Sequence, residues 1–149
     1  MEILTSSHSQ IIFQTILSLV LGAMIGLERE SKKKEAGLQT YSLVSLGACI
    51  FTIIGIALAN FYINGVNVSL DPSRIIQAVA IGIGFLGAGV IFQRPDKIEG
   101  LTTAAGLWAT AAIGIAVGIK LYFLAVVGTI LAITILFGLG YLEKIYFRK

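Results

Sequence analysis

Long runs without a charged residue dominate this chain and most constrain what it can fold into. At about 1.5 Å rise per residue, a helix of about 20 residues crosses a hydrocarbon core of roughly 30 Å. Five uncharged runs are each long enough for one such helix: residues 3–27, 36–70, 75–93, 100–119 and 121–142. The sequence therefore predicts an all-α integral membrane protein, a compact bundle of five transmembrane helices.

The composition agrees with residence in the lipid bilayer. Of the 149 residues, 56% are hydrophobic and 13% are charged, and the mean hydropathy is +0.91. Soluble domains average about 25% charged residues. We expect a single transmembrane domain over residues 1–149, with spans at about 10–27, 41–62, 74–93, 102–119 and 122–142. The first span lacks a preceding basic region, so we interpret it as a retained helix and not as a signal peptide.

The basic residues mark the orientation of the chain. They lie beside apolar spans, where they act as topology signals, so the net charge of +3 does not indicate nucleic-acid binding. With the N-terminus outside, nine of the 11 lysines and arginines fall on the inner side. This bias predicts a cytoplasmic C-terminus. The nine are Arg29, Lys32, Lys33, Lys34, Arg94, Lys97, Lys144, Arg148 and Lys149.

Glycines recur inside the spans, where they would weaken a helix unless they allow a neighbouring helix to approach closely. The GxxxG spacing of the first span fits either an internal helix contact or a homodimer face. Residues 82–87 read G-x-G-x-x-G, but a dinucleotide site needs a strand before this motif, and an apolar 19-residue run provides none. The predicted packing glycines are Gly22, Gly26, Gly82, Gly84, Gly87, Gly89, Gly114 and Gly118.

Three charged residues, Glu28, Arg29 and Glu30, end the first span. Carboxylates at a helix C-terminus are opposed by the helix dipole, so another interaction must favour them. The candidates are Lys32 to Lys34, Arg94 or a bound cation, and the alternative is a solvated charge cluster. We leave the identity of any metal open.

The third span begins at the sequence Asp-Pro-Ser-Arg. Asp71 fits the N-cap position and Pro72 the first helical position. Arg74 is opposed by the dipole in the first turn. It reaches the interface, pairs with Asp71, or places a functional charge toward a cavity.

The connection between spans three and four is short and charged, and we predict a cytoplasmic loop containing Arg94, Lys97 and Glu99. Thr102 or Thr103 is expected to cap the fourth helix, as Thr40 is expected to cap the second. The single histidine, His8, and the single cysteine, Cys49, offer neither a transition-metal site nor an intrachain disulfide. No catalytic motif is present, so we predict a non-enzymatic protein without a cofactor.

Five motifs in this order resemble the membrane domain of the MgtC/SapB family, which includes YhiD-like proteins. They read GAMIGLERE at 22–30, AGLQT at 36–40, DPSR at 71–74, GIGFLGAGVI at 82–91 and GLTTAAGLW at 100–108. The resemblance covers residues 21–122. Glu28, Arg29, Asp71 and Arg74 match the family pattern.

The resemblance implies a bacterial cytoplasmic membrane protein linked to growth at low magnesium and to survival of pathogens inside host cells. The resemblance also implies that this chain regulates other membrane proteins, with transporter or ATP synthase subunits as its partners. A homo-oligomer is a further possibility. Many virulence-associated members carry a C-terminal soluble domain, and this chain is expected to be a short form without it. Those members also have an asparagine-valine-arginine sequence where this chain has residues 97–99, Lys-Ile-Glu.

Two non-enzymatic functions therefore compete. The first is a regulator that acts through helix contacts within the bilayer. The second is a transporter or channel subunit for Mg²⁺ or another cation, which would need carboxylates close together. The expected topology separates Glu28 and Glu30, inside, from Asp71, outside, and this separation favours the regulator.

Overall fold

The computed structural model describes residues 8–63, 71, 73–95 and 97–139. Within them, the chain forms five α-helices and one pair of short strands. The helices are α1 (His8–Ser31), α2 (Leu38–Ile63), α3 (Ser73–Gly89), α4 (Leu101–Gly118) and α5 (Tyr122–Thr134), and α5 continues as a π-helical turn, Ile135–Leu139. The strands are β1 (Phe92–Arg94) and β2 (Lys97–Glu99).

Four of the helices are long and apolar enough to cross a membrane: α1, α2, α4, and α5 together with its continuation. The remaining helix, α3, is apolar but has 17 residues and is shorter than the other candidates. The described residues thus form a mostly helical membrane protein with four candidate spans.

Helix α4 occupies the centre of the bundle. It packs against α1, α2, α3 and α5, and 61% of its 18 residues are buried. Its many glycines and alanines keep its surface narrow, which allows neighbouring helices to approach closely. In contrast, only 17% of the residues in Tyr122–Leu139, which form α5 and its continuation, are buried. Most of this segment therefore faces outward. Trp108 of α4 is exposed.

Successive helices run in opposite directions and create two ends of the bundle. We call one the hairpin end, because it holds the β1–β2 pair together with the C-terminus of α1 and the N-termini of α2 and α4. Contacts of Lys32 with Leu136 place the end of α5 there too. The opposite end holds the N-termini of α1 and α3. Gln14 of α1 contacts the C-terminus of α4 at this end.

The connection between α3 and α4 is an antiparallel strand pair and not the irregular loop that we expected. Helix α3 ends at Gly89, four residues before the predicted boundary. The N-cap of α4 is Gly100, with a φ of 86°, and no side chain caps it. A Cβ at this position would collide with the carbonyl oxygen of Val90. The prediction that Thr102 or Thr103 caps α4 is therefore wrong, since both lie inside the helix.

Four of the glycines predicted to pack lie against backbone or side-chain atoms of α2 or of the connection before it. A Cβ on Gly114 would lie 2.2 Å from the carbonyl oxygen of Ser45, and one on Gly22 would lie 2.6 Å from the carbonyl oxygen of Tyr41. Gly26 is similarly close to Leu38 of α2, and Gly118 to Thr52. These positions have no room for a side chain because the helices touch there.

The glycines of α3 behave differently. A Cβ on Gly87 would meet Ala104 at an ordinary 3.5 Å. Around Gly82, Gly84 and Gly89, no described atom lies within 4 Å of an added Cβ. The prediction that these three glycines pack against another helix is wrong for the described part of the chain, because α3 turns them toward open space.

Candidate functional site

Buried charges gather at the hairpin end, in the last turns of α1. Arg29 is 3% exposed and Glu28 is 8% exposed. Arg29 Nη1 lies 3.5 Å from Glu28 Oε2, and Lys32 Nζ lies 2.5 Å from Glu28 Oε1. The two cations offset the unfavourable position of a carboxylate at a helix C-terminus. Of the partners that we considered, the structure therefore selects Lys32.

Thr103 of α4 joins three separate parts of the hairpin end. Its hydroxyl accepts a hydrogen bond from Arg29 Nη2 at 3.0 Å and donates one to Glu35 Oε2 at 2.6 Å. Its backbone carbonyl accepts a hydrogen bond from the Tyr41 hydroxyl at 3.1 Å. One residue of α4 thus ties together α1, the α1–α2 connection and α2. We call Glu28, Arg29, Glu35, Tyr41 and Thr103 the Thr103 cluster.

Glu35 carries a shifted pKa within this cluster. The hydrogen bond from the Thr103 hydroxyl lowers the pKa of Glu35 below its ordinary value of 4.5, and the nearby Lys34 and Arg29 act in the same direction. Because hydrogen bonds to the ionised form favour it, the contact stabilises the carboxylate. The Glu35 carboxylate is thus held ionised at neutral pH beside a buried arginine.

Glu30 takes a separate, local role. It is exposed, and its Oε2 accepts a hydrogen bond from the backbone N–H of Leu38 at 3.1 Å. Leu38 is the first residue of α2, so Glu30 satisfies one of the free N–H groups at that helix start. The expectation that Thr40 caps α2 is wrong, because Thr40 already lies within the helix.

Lys32 also connects the cluster with the end of α5. Its ammonium donates a hydrogen bond to the carbonyl of Leu136 at 3.0 Å and lies 5.1 Å from the centre of the Phe137 ring. The π-helical turn leaves carbonyl groups at the end of α5 available for such contacts. A single lysine therefore bridges the Glu28 carboxylate and the otherwise outward-facing α5.

The strand pair carries a second, exposed set of charges. Arg94 Nε lies 2.9 Å from Glu99 Oε2, and Lys97 Nζ lies 2.6 Å from Glu99 Oε1. Hydrogen bonds from Lys97 and then Arg94 lower the pKa of Glu99. The predicted loop residues Arg94, Lys97 and Glu99 thus form a compact ion-pair cluster of their own, whereas Thr103 lies buried in α4.

The charges of the third span lie at the opposite end. Asp71 Oδ1 accepts a hydrogen bond from the backbone N–H of Ser73 at 2.9 Å, which is the geometry of a helix N-cap. This contact lowers the pKa of Asp71. Pro72 lies outside the described residues. Arg74 is exposed and lines a large groove beside α2, and among the described residues the ion pair with Asp71, one of the alternatives considered, is not formed.

Three important polar residues were not predicted from the sequence. Glu35 stands in a lysine-rich stretch and resembles a solvated charge. Tyr41, at the predicted start of the second span, is fully buried. Gln14 is buried in α1 and donates hydrogen bonds to the carbonyls of Val117 and Gly118, both at 2.9 Å. An amide in the middle of an uncharged run was the one available signal for Gln14.

The chemistry open to the Thr103 cluster is mainly electrostatic. Within the described ranges, no group of three or more His, Cys, Asp or Glu residues could hold a metal ion. The Glu28 oxygens and Arg29 Nε are buried and make no hydrogen bond of regular geometry there, although Glu28 is in ion-pair contact. Such incompletely satisfied buried charges are costly, which gives this cluster a capacity to rearrange.

Comparison with known proteins places the chain in a defined group. Residues 15–145 match the model of the MgtC family. No solved structure shows significant similarity to the chain. A protein of Haemophilus influenzae described as uncharacterised is 45% identical over 126 residues, which cover 83% of this chain and 53% of that protein.

Two further relatives carry informative names. The putative magnesium transporter YhiD of Escherichia coli K12 is 39% identical over 128 residues, 86% of this chain and 60% of YhiD. The protein MgtC of Brucella abortus is 37% identical over 118 residues, 79% of this chain and 46% of MgtC. The chain therefore spans only about half the length of several curated relatives that it matches.

Proposed function

Because this chain belongs to the MgtC family, we propose that it is a non-enzymatic membrane protein that regulates other membrane transport or ATPase systems during adaptation to low magnesium or host stress. The observation that carries this proposal is the internal pairing of its buried charges. Buried Glu28 and Arg29 contact each other, Glu28 also contacts Lys32, and the exposed Glu35 contacts Thr103, all at the hairpin end. Such charges stabilise and switch a structure more readily than they conduct an ion.

The proposed arrangement in the membrane includes α3 as a fifth span. Its 17 residues give a helix of about 26 Å, close to the roughly 30 Å of a hydrocarbon core. With five crossings, the hairpin end is cytoplasmic and Asp71 and Arg74 face outside, which follows the distribution of basic residues. This arrangement belongs to the bacterial cytoplasmic membrane. A cysteine-accessibility test with a reagent that does not cross membranes checks it at positions 71 and 99.

The outward-facing surfaces support action on a partner protein. Large apolar side chains are exposed on α1, α3 and α5, among them Phe13, Phe85 and Phe123. In a bilayer these side chains contact lipid or the helices of a transporter or ATP synthase subunit. A second copy of the chain is a further candidate partner.

Transport of Mg²⁺ is the second candidate, since one relative is named a putative magnesium transporter. One observation favours it: the buried Glu28 oxygens lack regular hydrogen bonds within the described residues. Mg²⁺ is held by carboxylates together with water. Against this candidate, Glu28 and Asp71 lie at opposite ends of the bundle and cannot share one ion.

The two candidates are separated by measuring growth and flux with the same variants. We expect deletion of the gene to slow growth at limiting Mg²⁺ and the wild-type gene to restore it. We expect purified protein in proteoliposomes to give no Mg²⁺ flux above empty vesicles. Flux that is abolished by Glu28→Gln, but not by the exposed control Glu99→Gln, would establish transport instead. Unchanged growth of the deletion strain would remove the link with magnesium.

A further inference from the structure

An apolar groove of about 870 Å³ runs between α2 and α3. The two helices approach each other where Ile75 packs over Gly55, and below this contact they diverge. Small residues on both walls keep the groove open, since a Cβ at Gly47 or Gly82 would meet no described atom within 4 Å. The lining includes Leu43, Gly47, Phe51, Ala78, Gly82 and Leu86.

A single cation stands at one mouth of the groove. Arg74 lines it at the opposite end of the bundle, in the first turn of α3. Among the described residues, its side chain forms no ion pair or hydrogen bond, although it interacts electrostatically with Asp71. The nearest carboxylate, Asp71, is directed to the backbone N–H of Ser73. The guanidinium is therefore available to an anion, and Asp71 offsets only part of its charge.

The dimensions of the groove favour a lipid chain over a protein helix. Leu86 lies 12 residues after Arg74, so the groove is about 18 Å deep along α3. One leaflet contributes about 15 Å of a hydrocarbon core of about 30 Å. A membrane-spanning helix is about 30 Å long, well beyond the depth of this groove. A chain that starts at the headgroup level and ends near the bilayer centre fits the groove.

We propose that this groove binds an anionic phospholipid from the leaflet at the opposite end. The phosphate pairs with Arg74, because a guanidinium forms parallel hydrogen bonds with phosphate oxygens. An acyl chain lies along Gly47 and Gly82. The site is distinct from the Thr103 cluster and does not depend on the proposed regulatory function.

Binding is tested on the full chain purified in a zwitterionic detergent. We expect phosphatidylglycerol to raise the melting temperature and to remain bound in native mass spectrometry. Phosphatidylcholine and inorganic phosphate should do neither, which separates a lipid from a free anion. Arg74→Gln should weaken phosphatidylglycerol binding about tenfold, as loss of a charge-assisted contact does. The control Arg94→Gln, in the exposed strand pair, should bind as wild type does.

The acyl chain is tested with a pair of matched glycine variants. Gly82→Leu places a side chain in the groove, whereas Gly84→Leu places the same side chain on open surface of the same helix. We expect Gly82→Leu to reduce binding about tenfold and Gly84→Leu to leave it unchanged. Circular dichroism confirms that both variants remain helical.

Three results would overturn the proposal. Equal binding of phosphatidylglycerol and phosphatidylcholine would show that Arg74 selects no headgroup. Equal binding by the Gly82→Leu and Gly84→Leu proteins would place the lipid elsewhere. A dimer in light scattering that is lost in Gly82→Leu, together with unchanged lipid binding, would assign the groove to a second copy of the chain.

Discussion

Two sides of this bundle use the same small residues for different purposes. On the α1–α2–α4 side, Gly22 and Gly114 bring helix backbones into contact, and polar side chains are buried between them. On the α3 side, Gly82 and Gly84 face open space and most side chains are exposed. Glycine closes one interface and leaves a groove at the other, so its effect depends on what the neighbouring helix presents.

The polar residues follow the same division. Arg29, Gln14 and Thr103 are buried where helices touch, and each has hydrogen bonds to another helix. Arg74 and Gln77 of α3 are exposed. We conclude that α1, α2 and α4 form the rigid part of the molecule, with α3 attached mainly through α4. Pairs of matched substitutions on the two sides test this conclusion.

The largest difference is expected between the two arginines. Arg29→Met removes the guanidinium that contacts Glu28 and Thr103, and the loss of one partner of a buried ion pair should lower the free energy of unfolding by about 3 kcal/mol. Arg74→Met, on exposed surface, should change it by less than about 0.5 kcal/mol in lipid-free detergent. Denaturation followed by circular dichroism measures both. Equal losses would mean that α3 is as tightly integrated as α1.

A smaller difference is expected between two glycines. Gly114→Ala forces a methyl group against the Ser45 carbonyl and should cost about 1–3 kcal/mol. Gly82→Ala should stabilise α3 by up to about 1 kcal/mol, because alanine favours a helix and nothing obstructs its Cβ. Thermal unfolding of the two variants provides the measurement. Destabilisation by Gly82→Ala would show that a neighbour occupies this surface.

The two glutamines extend the comparison to hydrogen bonds. Gln14→Leu leaves the carbonyls of Val117 and Gly118 without their side-chain donor and should cost about 1–2 kcal/mol. Gln77→Leu on α3 should be nearly neutral, because Gln77 is exposed. Hydrogen exchange at the end of α4 should accelerate only in the first variant. No acceleration would indicate that water replaces the amide.

The smallest effect concerns pH. Because the pKa of Glu35 is lowered in the folded protein, its contribution is fully present above the ordinary value of 4.5 and is lost as the pH falls through the lower folded value. Wild type should therefore lose more stability than Glu35→Gln on acidification below pH 4.5. The pKa values of Asp71 and Glu99 are also lowered, and these two residues are the same in both proteins. Parallel pH profiles for the two proteins would show that the hydrogen bond between Glu35 and Thr103 does not contribute to stability.

The helical membrane architecture could be inferred from the sequence, and so could a basic partner for the carboxylates that end α1, but the burial of Glu28 and Arg29 was not predicted. Uncharged runs of about 20 residues leave few alternatives to helices in lipid. Likewise, a carboxylate at a helix C-terminus demands a cation, and the neighbouring lysines supplied one in Lys32. These inferences rest on local chemistry, which the order of residues contains.

The remaining features depend on which surfaces meet. Helices α3 and α4 both carry several glycines, yet only Gly114 and Gly118 of α4 lie tightly against backbone atoms of another helix. Thr103 resembled a capping residue, but its hydroxyl instead joins Arg29 and Glu35. The connection between α3 and α4 forms two short paired strands, and Gly100, which follows the second strand, adopts a left-handed conformation. None of these arrangements follows from spacing alone.

The dependence of Arg29 on Thr103 has a consequence for biogenesis. These residues are 74 positions apart, so the first two helices enter the membrane before the hydroxyl that receives the guanidinium has been synthesised. Until then, the guanidinium lacks this hydrogen-bond partner on the unfinished polypeptide. We expect chains truncated before the fourth helix to be degraded rapidly by quality-control proteases and to be rescued when the missing segment is co-expressed.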